Sequence, residues 1–188
     1  MHQWQVPSWS NDFSKALNLK NFEVFIGEFE NRLTIRQFIL DNWKKEFSLP
    51  ETVLDLKVRP RGKNKYFSIS HSQNRAVVVV SPHFIGVDIE QAEKLKAEFA
   101  LQIGTESEIA SAPSLTHLWC AKEAFFKAVP DEQQPELAHE MVVRNWQAEG
   151  RLHTFDCTLI SKNKTPTLDG RGATFLEGNS VIAIATVY

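Results

Sequence analysis

The sequence predicts a mixed α/β chain, α+β in character, built as two halves. Three observations carry this. Strand-like and helix-like periodicities follow one another as strand, helix, strands, and then as helix, strands. The most apolar helical pattern, at 115–129, opens the second half. Glycines at 150, 170, 172 and 178 fall between the strand-like runs that close the chain. The join lies near residues 100–112, which divides the chain into 1–104 and 105–188.

The elements follow in order. Residues 22–29 are apolar at 22, 24, 25, 26 and 29 and read as a strand. Residues 34–47 place Ile35, Phe38, Ile39, Trp43 and Phe47 at helical spacing, and Leu49-Pro50 ends that helix. Residues 53–59 alternate Val53, Asp55, Lys57 and Arg59 with Leu54, Leu56 and Val58, which predicts a strand. Pro60 and Gly62 mark a turn. Strands are predicted at 66–70 and 76–80, with a turn through His71-Ser72-Gln73-Asn74-Arg75. Pro82 breaks the run, and 84–89 forms a further strand.

Residues 91–104 have helical character. Ser114 is placed to cap a helix over 115–129 that stops at Pro130. Residues 131–139 are polar, contain Pro135 and read as a loop. Four strands are predicted beyond it, at 142–146, 152–160, 173–176 and 181–187.

Composition narrows the function classes. The 188 residues suit one domain or two small lobes, and 13 Phe with five Trp give ample core material. A net charge of −2 lacks the basic excess of a dedicated nucleic-acid binder. A local basic run does exist, at Lys57, Arg59, Arg61, Lys63 and Lys65. It serves either as a docking surface for an acidic partner or as an ordinary solvated strand face. Cys120 and Cys157 form no metal-binding spacing and read as buried thiols of a reducing compartment. No apolar run approaches a membrane span and no signal-peptide pattern opens the chain, so a cytoplasmic protein is expected.

Three constellations carry chemistry. In Gly86-Val87-Asp88-Ile89-Glu90, strand alternation sends Asp88 and Glu90 to one face and Val87 and Ile89 to the other. Paired carboxylates repel unless a cation lies between them, and an oxygen-only pair suits Mg²⁺. Alone, the pattern more often describes two solvated acids at a strand end. In Trp119-Cys120-Ala121-Lys122-Glu123-Ala124-Phe125-Phe126-Lys127, positions 119, 123 and 127 share a helix face. That face could serve a metal and a phosphate together, or carry a plain Glu–Lys pair. The third segment runs Gly62-Lys63-Asn64-Lys65-Tyr66-Phe67-Ser68-Ile69-Ser70-His71-Ser72. Hydroxyls, imidazole and lysines there can bind phosphate oxygens, or His71 can cap or pack. There is no Gly-rich phosphate loop, HExxH or GxSxG.

Taken together and in this order, the three segments resemble the 4′-phosphopantetheinyl transferases of the Sfp type. The carriers are GKN at 62–64, FSISHS at 67–72, GVDIE at 86–90 and WCAKEAFFK at 119–127. The resemblance covers residues 30–130 and is looser elsewhere. It implies the fold of that family, two similar lobes related by a pseudo-twofold with the cofactor between them, in a monomer. It also implies an enzyme that moves the 4′-phosphopantetheine arm of coenzyme A onto a serine of an apo acyl, peptidyl or aryl carrier protein, releasing 3′,5′-ADP.

By the same resemblance, Asp88, Glu90 and Glu123 are the Mg²⁺ ligands. Glu123, or a water on the metal, helps deprotonate the serine, and Asp88, Glu123 and Lys127 form the catalytic set. Lys127 neutralises the pyrophosphate and Lys122 supports its helix. Ser70 and His71 meet coenzyme A phosphates, Gly62 and Lys63 lie by the nucleotide, and Arg32 meets the 3′-phosphate, with Arg36 in competition. Asn64 replaces the family's proline, and the family's N-terminal lysines have only Lys15 and Lys20 as counterparts. Two other readings stand beside it: a metal-dependent nuclease or phosphoesterase, and a non-catalytic module that holds coenzyme A or a carrier protein. The pathway and the particular carrier protein are not encoded in these motifs.

Overall fold

The computed structural model describes residues 4–55, 59–136, 140–160 and 166–188. Its elements in chain order are α1 (Ser10–Ala16), β1 (Glu23–Glu28), α2 (Arg32–Trp43), α3 (Pro50–Leu54), β2 (Tyr66–Ser72), β3 (Arg75–Ser81) and β4 (Ile85–Gln91). There follow α4 (Ala100–Ile103), α5 (Glu106–Ser111), α6 (Leu115–Ala128), β5 (Met141–Glu149), β6 (Leu152–Ile160), β7 (Pro166–Glu177) and β8 (Ser180–Val187). The architecture is mixed α+β, with two antiparallel sheets ordered β1-β3-β2 and β4-β8-β7-β6-β5. β4 precedes residue 104 in the chain yet is hydrogen-bonded to β8, so the larger sheet takes a strand from the first half.

Strand alternation builds three cores from these two sheets. Ala76, Val78 and Val80 of β3 face α2, where Ile35 and Ile39 are buried. Val77 and Val79 point the other way, into a central core shared with Val87, Ile89, Ile182 and Ile184 and closed by Trp9, just before α1, and by Phe13 of α1. Val181, Ala183 and Ala185 face Leu118, Ala121, Ala124 and Phe125 of α6. Each fully buried large side chain of this kind, Phe125 among them, stabilises the fold by roughly 1.5–3 kcal/mol. α6 starts where Ser114 accepts from the His117 N–H and stops at Val129, whose backbone turns extended before Pro130.

Several sequence expectations change. Residues 53–54 belong to helix α3 rather than to a strand over 53–59, and 56–58 lie outside the described residues. Val53 is fully buried beneath α2, so its alternation with Asp55 reflected one buried position, not a pleat. The helix expected over 91–104 is confined to a 3-10 turn at Ala97–Phe99 and α4. α1 and α5 are additional helices; α5 carries a capping box in which Thr105 and Glu108 satisfy each other's backbone N–H. His71, Ser72 and Arg75 are strand residues, which leaves a tight turn at Gln73-Asn74. The expected loop begins as a 3-10 turn at Asp131–Gln133, and 137–139 lie outside the described residues. Gly170 and Gly172 sit inside β7 rather than between strands. A Cβ there would meet the Thr186 carbonyl at 2.4 Å and the Phe155 ring at 2.2 Å respectively.

Cys120 and Cys157 are free and buried, and burial pushes both thiols up, as suits inert core residues. No helix among the described residues is long and apolar enough to cross a membrane.

Burial also acts on His117, which packs edge-on to His153 and contacts Ser114 Oγ through Nδ1. Desolvation, reinforced by His153, pushes its pKa from 6.5 down to about 4. Above pH 6.5 it is neutral both folded and unfolded and imposes no pH dependence. Below pH 6.5 the unfolded chain takes the proton first, so stability falls until about pH 4, where the folded form also protonates. Urea midpoints measured from pH 7 to 4 are expected to decline more steeply for the native sequence than for His117→Gln. Parallel profiles would contradict this.

Candidate active site

The two edge strands β2 and β4 run side by side, and side chains, not ladder bonds, join them. Ser68 Oγ accepts from the Val87 N–H at 3.0 Å. Ser70 Oγ donates to Asp88 Oδ1 at 2.7 Å and Ser72 Oγ to Glu90 Oε1 at 2.7 Å. The period-2 serines of one strand thus meet the period-2 acids of the other. The sequence reading missed Ser68 and Ser72; their alternation with Ser70, in step with Asp88 and Glu90, was the available signal.

α6 approaches this seam along β4, and Gly86 permits it. A Cβ at Gly86 would lie 1.9 Å from the Ala124 carbonyl oxygen and 2.6 Å from the Ala128 nitrogen. The helix therefore rests directly on the strand backbone, and Trp119, Glu123 and Lys127 line the cleft from above. From the first half, Arg32, Arg36, Ile69, Ser70 and His71 line the same cleft of about 400 Å³, together with Asp88 and Glu90.

The electrostatics are those of a charged site with resident counter-ions. Lys127 Nζ donates to Asp88 Oδ1 at 2.7 Å, Val87 O at 3.1 Å and Ser70 Oγ at 3.2 Å, which uses all three ammonium hydrogens. Asp88 and Glu90 are only 6% and 8% exposed. Burial would raise Glu90, but bonds from Lys94 at 2.5 Å, Ser72 and the Gln91 N–H outweigh it and hold the carboxyl below its usual range. Glu123 lacks such help: burial, with Asp88 adding to it against the pull of Lys127, lifts its pKa. Arg32 Nε donates to His71 Nε2 at 2.9 Å. Because a guanidinium only donates, His71 is the neutral tautomer with its proton on Nδ1. Burial, then the charges of Arg32 and Lys127, lower its pKa and keep it so.

Asp88, Glu90 and Glu123 are oxygen donors in one cleft, and Glu123 is an under-compensated carboxylate, so the donor set fits a hard divalent ion. Among the described residues, however, no three His, Cys, Asp or Glu side chains already gather around one point. In this arrangement Lys127 and Lys94 supply the positive charge on Asp88 and Glu90.

Three residues expected at the cofactor do not line this cleft. Lys122 is 1% exposed and forms a buried ion pair with Glu108 Oε1 at 2.9 Å, away from the cleft. Glu108 also accepts from the Val143 N–H and from Thr105, so this lysine fastens α6 to α5 and β5. Gly62 and Lys63 form a turn bonded to Lys65 O and Glu46 O and do not line the cleft. Arg36 reaches the cleft while its Nη1 donates to Val53 O, so it shares the arginine face with Arg32.

Residues 84–167, which span β4, α6 and the first strands of the second half, match the family model of the 4′-phosphopantetheinyl transferase superfamily. A curated relative, the 4′-phosphopantetheinyl transferase gsp of Aneurinibacillus migulanus, is 26% identical over 132 residues. The match covers 62% of this chain and 52% of the relative, so the chain matches about half of that protein's length.

The position of Lys122 separates support from chemistry. Lys122→Met leaves Glu108 buried without its cation and is expected to cost about 3–5 kcal/mol of stability in urea unfolding. Glu123→Gln, in the open cleft, is expected to leave the unfolding free energy within about 0.5 kcal/mol of the native value. Equal midpoints for Lys122→Met and the native chain would return Lys122 to the list of ligand contacts.

Proposed function

We propose that this protein transfers the 4′-phosphopantetheine group of coenzyme A to a serine of an apo acyl or peptidyl carrier protein, releasing 3′,5′-ADP with Mg²⁺ required. The observation that carries the reading is one cleft lined by acids on β4, Glu123 and Lys127 on α6, and Arg32 with His71 from the first half. The match of residues 84–167 to the 4′-phosphopantetheinyl transferase family model supports the same chemistry. The two sheets, each covered by one long helix, are proposed as the two pseudo-symmetric lobes, working as a monomer.

The residues divide the work. Arg32, with Arg36 one turn on, and His71 present donors to phosphate oxygens of the nucleotide end. Asp88, Glu90 and Glu123 would hold the magnesium ion, which when bound offsets charge on the pyrophosphate. Lys127 already lies on Asp88 and brings a second positive charge to the leaving phosphate. The serine oxygen forms a bond to the pantetheine-bearing phosphorus as the bond from that phosphorus to the bridging oxygen breaks. Glu123, whose burial raises its proton affinity, takes up the serine proton. Holding two reactants in this geometry supplies much of the acceleration.

Incubation with coenzyme A, Mg²⁺ and a panel of apo carrier proteins is expected to add one phosphopantetheine mass to a carrier serine. A chelator is expected to stop the reaction and added Mg²⁺ to restore it. Asp88→Ala, Glu123→Ala and Lys127→Ala are expected to lower kcat by about 10²–10³-fold with folding intact. His71→Ala and Arg32→Ala are expected chiefly to raise KM for coenzyme A. No mass shift on any carrier protein would favour a binding module, and native rates in all the variants would overturn the residue assignments.

A further inference from the structure

The last turn of α6 raises a separate question, because it carries Lys127 and its carbonyls need partners. A helix leaves its last four carbonyls without intrahelical donors. Here the donor that would continue the ladder to Phe126 O is residue 130, a proline with no N–H. The chain also turns extended at Val129, which ends the regular pattern.

A side chain from far earlier in the chain meets these carbonyls, beside a longer contact from Gln134 Nε2 to Phe126 O at 3.5 Å. Arg59 Nη1 donates to Lys127 O at 2.7 Å and to Val129 O at 3.2 Å, and Nη2 donates to Phe126 O at 3.2 Å. Its guanidinium lies over the Phe126 ring at 5.6 Å. Asp131 aligns it from the other side, 3.7 Å from Arg59 Nε and 2.9 Å from Arg61 Nη2. A cation at a helix C-terminus also meets the negative end of the helix dipole. A lysine could not repeat this, because a single ammonium on a flexible stem lacks the planar fork that meets several carbonyls at once.

The same turn is held on its inner side by β4. A Cβ on Gly86 would lie 2.9 Å from the Lys127 carbonyl carbon and 2.6 Å from the Ala128 nitrogen. Lys127 is thus bonded through its carbonyl to Arg59 and through its ammonium to Asp88, Ser70 and Val87 O. Any slide of the last turn moves the ammonium relative to the acids.

We propose that Arg59 is a positioning residue: by bonding three carbonyls at the end of α6 it sets where the Lys127 ammonium stands in the cleft. The catalytic part of this inference rests on the proposed transferase reading; the geometric part does not. Arg59 touches no reacting group itself.

Two measurements test it. In the folded protein, Lys127 is expected to resist acylation by a small amine reagent, read by peptide mass spectrometry against the exposed Lys94. Arg59→Gln is expected to raise Lys127 labelling several-fold, and Arg59→Lys to give an intermediate rate. In the transfer assay, Arg59→Gln is expected to lower kcat roughly 10- to 100-fold, with a smaller change in KM for coenzyme A. In a Lys127→Arg background the same substitution is expected to have little further effect. A lowered melting temperature with unchanged Lys127 labelling would make Arg59 a plain helix cap and overturn the proposal, as would fully additive losses with Lys127→Arg. Raised labelling in a protein that transfers nothing would uphold the positioning and sink the transferase reading instead.

Discussion

The site depends on an edge-to-edge meeting of two strands that do not hydrogen-bond as a sheet. β2 ends one sheet and β4 ends the other, and each presents backbone groups that would otherwise be unsatisfied in a buried seam. Val87 shows how the cost is met: its N–H goes to Ser68 Oγ and its carbonyl accepts from Lys127 Nζ. Ser70 and Ser72 then bond the acids on either side of Ile89. An apolar residue at any of the three serines would leave a buried donor or carboxylate short of a partner. The seam therefore joins the sheets and fixes the acids through the same contacts.

That seam makes charge balance the organising feature of the cleft. Two carboxylates that are nearly buried need positive charge nearby. Lys127 and Lys94 provide it, one from α6 and one from just beyond β4. Glu123 is left the least compensated of the three acids, which is where a divalent ion has most to offer. The same cleft is lined by Arg32 and Arg36 with a neutral His71, which gives it a positively charged part. A cleft with both acidic and basic parts suits a ligand that carries both a metal and phosphate groups.

Much of this was legible in local patterns. The alternation in Gly86-Val87-Asp88-Ile89-Glu90 separates core from cleft as observed, because pleating sends neighbours to opposite faces. The i, i+4, i+8 spacing of Trp119, Glu123 and Lys127 survives because a helix turns every 3.6 residues. The misses have a common origin. Residues 53–54 alternate like a strand but fold as a helix, because burial of Val53 beneath α2 outweighs a short local pattern. Lys122 stands next to Glu123 in the chain, yet one helix step turns it about 100° to a different partner, Glu108. The Thr105–Glu108 capping box was readable and went unread.

The sequence by itself determined the chemistry present: an acid pair on a strand, an acid and a lysine on one helix face, and a Ser-His segment, in an order that resembles the 4′-phosphopantetheinyl transferases. Only the tertiary structure decided which of these groups face one another. It set Ser72 on Glu90, Arg59 on the end of α6 and Glu108 under Lys122, pairs separated by 18, 68 and 14 residues for the contacts Ser72–Glu90, Arg59–Lys127 and Glu108–Lys122. Local periodicity states the direction of a side chain relative to its own element. The partner it meets is set by how buried apolar faces stack the elements, and that depends on every strand and helix at once.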